Sequence, residues 1–196
     1  MQINVTVKSS GPSKVAKQVT FATARALTAA AKEAQTAVIS DIESTFTVRN
    51  NWDKPSNKMG IRITAATKED LTAVVRTDAD WLIPLEEGAV KQPEGHNLAI
   101  PTENVRRTKR QMIVKNQRPR ALLGKRDVVL KTKSGPVLFQ RKGPKGRSQL
   151  VALYNLESSA HIRRESTVYE PTLVIVDKRF GALFEEALVM AFATAK

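Results

Sequence analysis

The sequence contains no cysteine, so neither a disulfide framework nor a thiolate metal site is available to it, which suits folding in a reducing cytoplasm. Aromatic residues make up only 5% of its 196 residues, and the apolar fraction of 41% is modest. Small and β-branched side chains must therefore fill much of the core. No apolar run approaches the roughly 20 residues that cross a bilayer. Residues 1–8 alternate apolar and polar where a secretory signal would carry an apolar stretch. A soluble protein with no membrane partner is expected.

The residues that usually carry catalysis are also scarce. The two histidines, His96 and His161, lie far apart, and neither has a metal-ligating neighbour at a useful spacing; both read as surface or strand-edge residues. There is no Gly-x-Ser-x-Gly elbow, no Walker-type loop and no dinucleotide fingerprint. The run Lys142-Gly143-Pro144-Lys145-Gly146-Arg147 is basic and glycine-rich, but its proline removes an amide that a phosphate nest would use, and it reads as a hairpin tip. Asp78 and Asp80 are spaced to share a face, as in a magnesium-dependent nuclease, without a third ligand or a nearby lysine. Glu86 and Glu87 are adjacent and, in an extended segment, point to opposite faces. The expectation is a protein that is not an enzyme and has no cofactor, metal or small-molecule substrate.

Positive charge is plentiful and unevenly placed. Net charge is +13. Residues 104–148 hold fifteen Lys or Arg and one acid, Asp127, for +14; the other 17 bases and 18 acids nearly cancel. Such a segment attracts a polyanion or an acidic protein surface. The candidate interaction residues are Arg106, Arg107, Lys109, Arg110, Lys115, Arg118, Arg120, Lys125, Arg126, Lys131 and Lys133. Apolar residues come there in scraps, at 112–114, 121–123 and 128–130, which suit a β-hairpin arm and not a core of their own. No aromatic residue precedes Phe139 in the segment, so it offers no platform for stacking single-stranded bases.

Periodicity supplies the rest. Ile3, Val5 and Val7 share one face of a short strand, and Gly11 and Pro12 make a turn into a helix. Residues 13–47 lack glycine and proline, and Leu27, Ala31, Ala34, Val38, Ile42 and Phe46 form one stripe of a helix about 50 Å long. That exceeds what a domain of this size needs, so one end or face is expected to meet something else. Ile61, Ile63 and Ala65, then Leu71, Ala73 and Val75, alternate as a β-hairpin around a turn at 68–70. Further strands are expected at 98–101, 137–140 and 150–153. Leu173, Val176, Phe180, Leu183, Phe184, Ala187, Leu188, Ala191 and Phe192 form the wide apolar face of a terminal helix beginning near Pro171. Gly181 inside it suggests a close helix–sheet contact. The whole reads as one α+β domain, 1–196. A long N-terminal and a C-terminal helix pack on a small, mainly antiparallel sheet, with 104–136 inserted as a basic extended arm.

The run Trp81-Leu82-Ile83-Pro84-Leu85-Glu86-Glu87-Gly88-Ala89, followed by Ala99-Ile100-Pro101, resembles the tail-completion proteins of long-tailed bacteriophages. Trp81, Leu85, Glu86, Gly88 and Pro101 carry the likeness; Glu87 stands where an aromatic residue is usual and Ala89 where threonine is. The second half, from Val137-Leu138-Phe139-Gln140-Arg141 through Leu150-Val151-Ala152-Leu153-Tyr154 to the terminal helix, is similar to the minor tail protein Z group of lambda-like phages. The resemblance implies a virion protein, made in the host cytoplasm, that sits in the tail or neck. It would form a homo-oligomeric ring, sixfold like the tube beneath it, complete the head-proximal end of the tail and help join it to the head. Its partners would be tail tube, tail terminator or neck proteins, with non-specific contact to packaged DNA. The alternative is a free, sequence-independent nucleic-acid-binding protein that uses residues 104–148.

Three further expectations follow. Removing residues 106–133 should leave the fold intact but abolish assembly, because the core elements lie outside them. Trp81→Ala should cost about 3–5 kcal/mol if the ring is buried and under about 1 kcal/mol if it is not. Glu86 should be a structural acceptor, an inter-subunit contact or a plain solvated acid.

Overall fold

The computed structural model describes residues 13–95, 97–122, 128–133, 135–143 and 149–194. The strand expected at 2–7, the turn at Gly11 and Pro12, His96, Lys125, Arg126 and the hairpin tip at 144–147 lie outside the described residues. The architecture is α+β. In chain order the elements are α1 (Ser13–Thr45), β1 (Arg62–Thr64), β2 (Val74–Arg76), α2 (Ile83–Glu87), β3 (Ala89–Lys91), β4 (Leu98–Pro101), α3 (Pro119–Leu122), β5 (Val128–Thr132), β6 (Gly135–Lys142), β7 (Gln149–Glu157), β8 (Ala160–Ile162) and α4 (Tyr169–Ala193). Short 3₁₀ turns precede α2, at Asp80–Leu82, and α3, at Lys115–Gln117. The chain divides into two compact units: Met1–Glu87 with Arg164–Lys196, and Gly88–Arg163.

In the first unit, α1 forms because alanine, the strongest helix former, is abundant and no breaker interrupts it. The expected stripe is covered: Leu27, Ala31, Ala34, Val38 and Ile42 are buried, and Phe46 is partly so. α4 runs antiparallel to α1. Ala22 and Ala26 early in α1 meet Ala187 and Ala191 late in α4, and Arg179 donates to Glu33 at 2.9 and 3.2 Å. Alanine on both sides allows close approach of the helices, and Phe21, Phe180, Leu183, Phe184 and Leu188 seal the edges.

The later half of α1 lies with Ile61, Val75, Ala79, Leu82 and Val168 in a second cluster. β1 and β2 pair antiparallel, Ile63 opposite Val75, as the alternation predicts. Gly60 is required where it stands: a Cβ there would lie 1.8 Å from the Lys54 carbonyl oxygen. Gly181 does not mark a helix–sheet contact. A Cβ there would meet nothing within 4 Å, because α4 turns that side to solvent and packs on α1 instead. Several apolar residues around and along α4 are left uncovered by α1. Leu173, Val174, Val189, Met190 and Phe192 are exposed.

The second unit holds a four-stranded antiparallel sheet, ordered β4-β7-β6-β5, and a two-stranded sheet of β3 and β8. β6 and β7 contain the strands expected at 137–140 and 150–153, and β4 the one at 98–101. Pro101 is tolerated because β4 is an edge strand and the missing N–H breaks no inner ladder. The β6–β7 pairing carries a bulge: Leu138 lies opposite Tyr154 and Phe139 opposite Ala152, so Leu153 is an extra residue. Val151 and Leu153 before the shift, and Tyr154 and Leu156 after it, thereby join one cluster with Val105, Leu122 and Leu138.

That cluster corrects one expectation. The basic stretch is no bare arm lying outside the core elements: Val105 is 3% and Leu122 1% exposed, and Ile113 packs beside them. Its apolar scraps, too few for a core of their own, complete the core of the sheet. The scrap at 128–130 enters β5, which pairs with β6.

Candidate functional site

Every excess charge of the protein belongs to the second unit. Residues 88–163 contain seventeen Lys or Arg against four Asp or Glu, +13; the first unit has fifteen of each sign and is neutral. Its ion pairs, Lys54–Glu43, Arg62–Asp78, Arg164–Glu170 and Arg179–Glu33, draw on that balance.

The cations stand on an ordered loop that runs from β4 into and through α3. Residues 106–114 double back on themselves: Val114 N–H donates to the Arg106 carbonyl at 3.2 Å, Thr108 N–H to the Met112 carbonyl at 2.8 Å, and Arg107 bridges Ile113. Gln111 closes the tip with a φ of 58°, and the Thr108 hydroxyl accepts the Met112 N–H at 3.2 Å. Lys109 and Arg110 occupy that tip.

One buried residue holds this loop to the sheet. Gln117 is 3% exposed. Its side-chain oxygen accepts the Arg106 N–H at 2.6 Å, its amide donates to Gln140 on β6 at 3.1 Å, and its carbonyl accepts the Tyr154 hydroxyl of β7 at 2.7 Å. Tyr154 is itself buried, and burial pushes its hydroxyl pKa up, with the Arg107 charge opposing. Neither Gln117 nor Tyr154 stands out in the sequence. A glutamine in a charged run carries no periodic signal, and the bulge shifts Tyr154 out of the alternation that would mark it.

Arg106, Arg107, Lys109, Arg110, Lys115, Arg118 and Arg120 are all exposed, as are Lys131 and Lys133 on and after β5. Among the described residues, none of the seven loop cations is ion-paired to a carboxylate. The structure thus gathers seven of the eleven candidates on one clamped loop and places two on the β5 side of the sheet. Phe139 and Tyr154 are the unit's aromatic residues, one half-buried and one buried.

The residues of the run from Trp81 to Gly88, with Pro101, have a different job. Trp81 is 47% exposed and meets Trp52 edge-on, with ring centroids 4.4 Å apart. Leu85 packs against the α1 cluster. Gly88 has a φ of 73°, the left-handed conformation that ends α2. Pro101 closes β4. Glu86 lies in α2, so it and Glu87 are on a helix and not in the extended segment assumed above. Its buried carboxylate accepts N–H groups of Thr167, Val168 and Tyr169 at 2.8, 2.7 and 3.3 Å, and the hydroxyls of Ser166 and Thr167 at 3.0 and 3.2 Å. It is the N-terminal cap of α4, where a negative charge also meets the helix dipole. The run Thr167-Val168-Tyr169-Glu170 has the form of a capping box and signals this helix start in the sequence.

A pocket of about 580 Å³ opens beside that cap, lined by Thr77, Ala79, Asp80, Leu82, Ile83 and Arg164 among others. Asp78 is held by Arg62 and lies 3.9 Å from Arg76, Asp80 starts a 3₁₀ turn, and Glu86 is spent on backbone donors. Among the described residues, no three His, Asp or Glu side chains are grouped to hold a metal ion, and no helix is long and apolar enough to cross a membrane. The chain matches no protein-family profile, no characterised protein and no solved structure.

Proposed function

We propose that this chain is a structural subunit of a bacteriophage tail, which completes the head-proximal end and helps join tail to head as one member of a ring. The observation that carries the reading is the division of charge: a neutral helical unit joined in one chain to a β unit of +13. Such a chain offers two kinds of contact. The uncovered apolar residues of α4, Leu173, Val174, Val189, Met190 and Phe192, suit burial against like subunits. The cationic loop suits a polyanion or an acidic neighbour in the neck. The run from Trp81 to Gly88 supports the same reading only through its resemblance to the tail-completion proteins. Tail tube, tail terminator and neck proteins are the expected neighbours.

The test is location and need. Immunogold labelling of purified particles should mark the neck, and phage lacking the gene should leave filled heads and tails unjoined. Normal infectious particles without the protein would refute the reading. The loop cations, exposed and without a carboxylate partner among the described residues, favour one second reading, a free sequence-independent nucleic-acid-binding protein using residues 104–148. That reading requires the protein to be absent from particles and to spread along intracellular nucleic acid.

A further inference from the structure

We infer that the cationic loop of the second unit is a preformed grip for the phosphate backbone of duplex DNA. The inference rests on the tail reading only for the setting in which DNA would be met. Three features of the surface favour this ligand over an acidic protein.

The first is rigidity. The loop is closed on itself by the Arg107–Ile113 bridge and tied to the sheet through Gln117. Its cations are displayed before any partner arrives, so binding carries little ordering cost. The second is chemistry. Arg106, Arg107, Arg110, Arg118 and Arg120 outnumber Lys109 and Lys115, and a guanidinium fork matches phosphate oxygens in pairs. The third is what the loop does not offer. Protein interfaces centre on desolvated aromatic or aliphatic anchors, whereas Met112, 37% exposed, is the one large apolar side chain uncovered on residues 106–120. A repeating line of phosphates asks for no such anchor.

Duplex is preferred to single strands for a related reason. Bases of a single strand are held by stacking on aromatic faces, and this unit's two aromatics are Tyr154, buried as the clamp, and Phe139, half-buried on β6. With no exposed Phe, Tyr or Trp ring among the described residues of the unit, and with cations outnumbering the exposed Thr108, Gln111 and Asn116 on the loop, binding should depend on salt far more than on sequence.

The experiment is fluorescence anisotropy of the full chain with a labelled 30-base-pair duplex, its separated strand and a poly-glutamate peptide, each titrated with salt. The duplex should bind tightest of the three. Each phosphate contact contributes about 0.9 to the slope of log K against log salt. The variant Lys109→Ala/Arg110→Ala/Lys115→Ala should therefore lose about 2 to 3 from the slope and at least roughly tenfold in affinity, at an unchanged melting temperature. Equal or tighter binding of poly-glutamate or of the single strand overturns the inference, as does a slope the variant leaves unaltered. Its failure is separable from that of the tail reading: a neck-located protein that ignores duplex DNA sinks the grip alone.

Discussion

The Oε1 atom of Glu86 accepts the backbone N–H of Val168 at 2.7 Å, so the start of α4 is closed by a residue 82 positions earlier in the chain. The contact joins the end of the Trp81 motif to the terminal helix within the first unit. Because three backbone N–H groups and two hydroxyls converge on one carboxylate, its loss strands several donors at once.

Glu86→Ala is expected to lower unfolding stability by roughly 3 kcal/mol, the cost of orphaning charge-assisted, buried hydrogen bonds. Glu86→Gln should cost less but still be measurable, since its NH₂ faces donors. Urea unfolding followed by helical circular dichroism reads both. A loss for Glu86→Ala below about 1 kcal/mol would mean that Ser166, whose hydroxyl already accepts the Glu170 N–H at 3.4 Å, can cap the helix unaided.

Gln117→Ala should cost about 2 kcal/mol and expose the Arg106 amide to faster hydrogen exchange, because that N–H loses its acceptor. Deleting residues 106–133, which from the sequence looked harmless to the fold, removes Leu122 and Gln117 and should abolish exchange protection across β6 and β7. Intact protection in the deletion would return the stretch to the status of an arm.

Trp81→Ala is expected to cost about 1 kcal/mol, the worth of an exposed aromatic pair and not of a buried ring. A double-mutant cycle with Trp52→Ala in thermal unfolding should place most of that in the coupling between the two residues. Additive single effects would count against it.

Two glycines should respond in opposite directions. Gly60→Ala drives a Cβ into the Lys54 carbonyl and is expected to destabilise by roughly 3 kcal/mol. Gly181→Ala has open space around it inside an exposed helix and should stabilise by about 1 kcal/mol. Melting temperatures that move together would contradict the local geometry at one site or the other.

Asp41 supplies a pH signature. Burial first, then the carboxylates of Glu86, Glu170 and Glu165, hold its carboxyl above the usual range. A folded pKa above the unfolded one favours the protonated acid, so this residue's contribution is greatest below the unfolded pKa of about 3.9 and is lost as pH rises through the folded value. Asp41→Asn should raise the melting temperature at pH 7 and leave it unchanged at pH 3. An equal gain at both pH values would remove charge as the cause.

Much of the helical unit was legible in the sequence because periodicity acts locally. The stripe from Leu27 to Ile42 needs only neighbours three and four residues away, and the alternation around Ile63 and Val75 needs only two. The second unit was less legible because its order depends on partners distant in sequence. Val105, Ile113 and Leu122 show no period among the charges, and they become core only once β6 and β7 supply the other side. The cationic residues themselves could be named from composition. That they stand on a fixed loop could not, since Gln117 reaches Gln140 and Tyr154 across 23 and 37 positions.

Leu153, the supernumerary residue of β7, has a consequence for how reproducibly the cations are aimed. In a strand of unbroken alternation, Val151 and Tyr154 would project from opposite sides, and the chain would have to wet one of them. The odd residue lets both turn inward, but only in a single alignment of β6 with β7. A slip by one step would throw the Tyr154 phenol off the Gln117 carbonyl and unseat everything that carbonyl secures. Lys109 and Arg110 therefore inherit their direction from an aliphatic side chain more than forty residues away that never touches solvent.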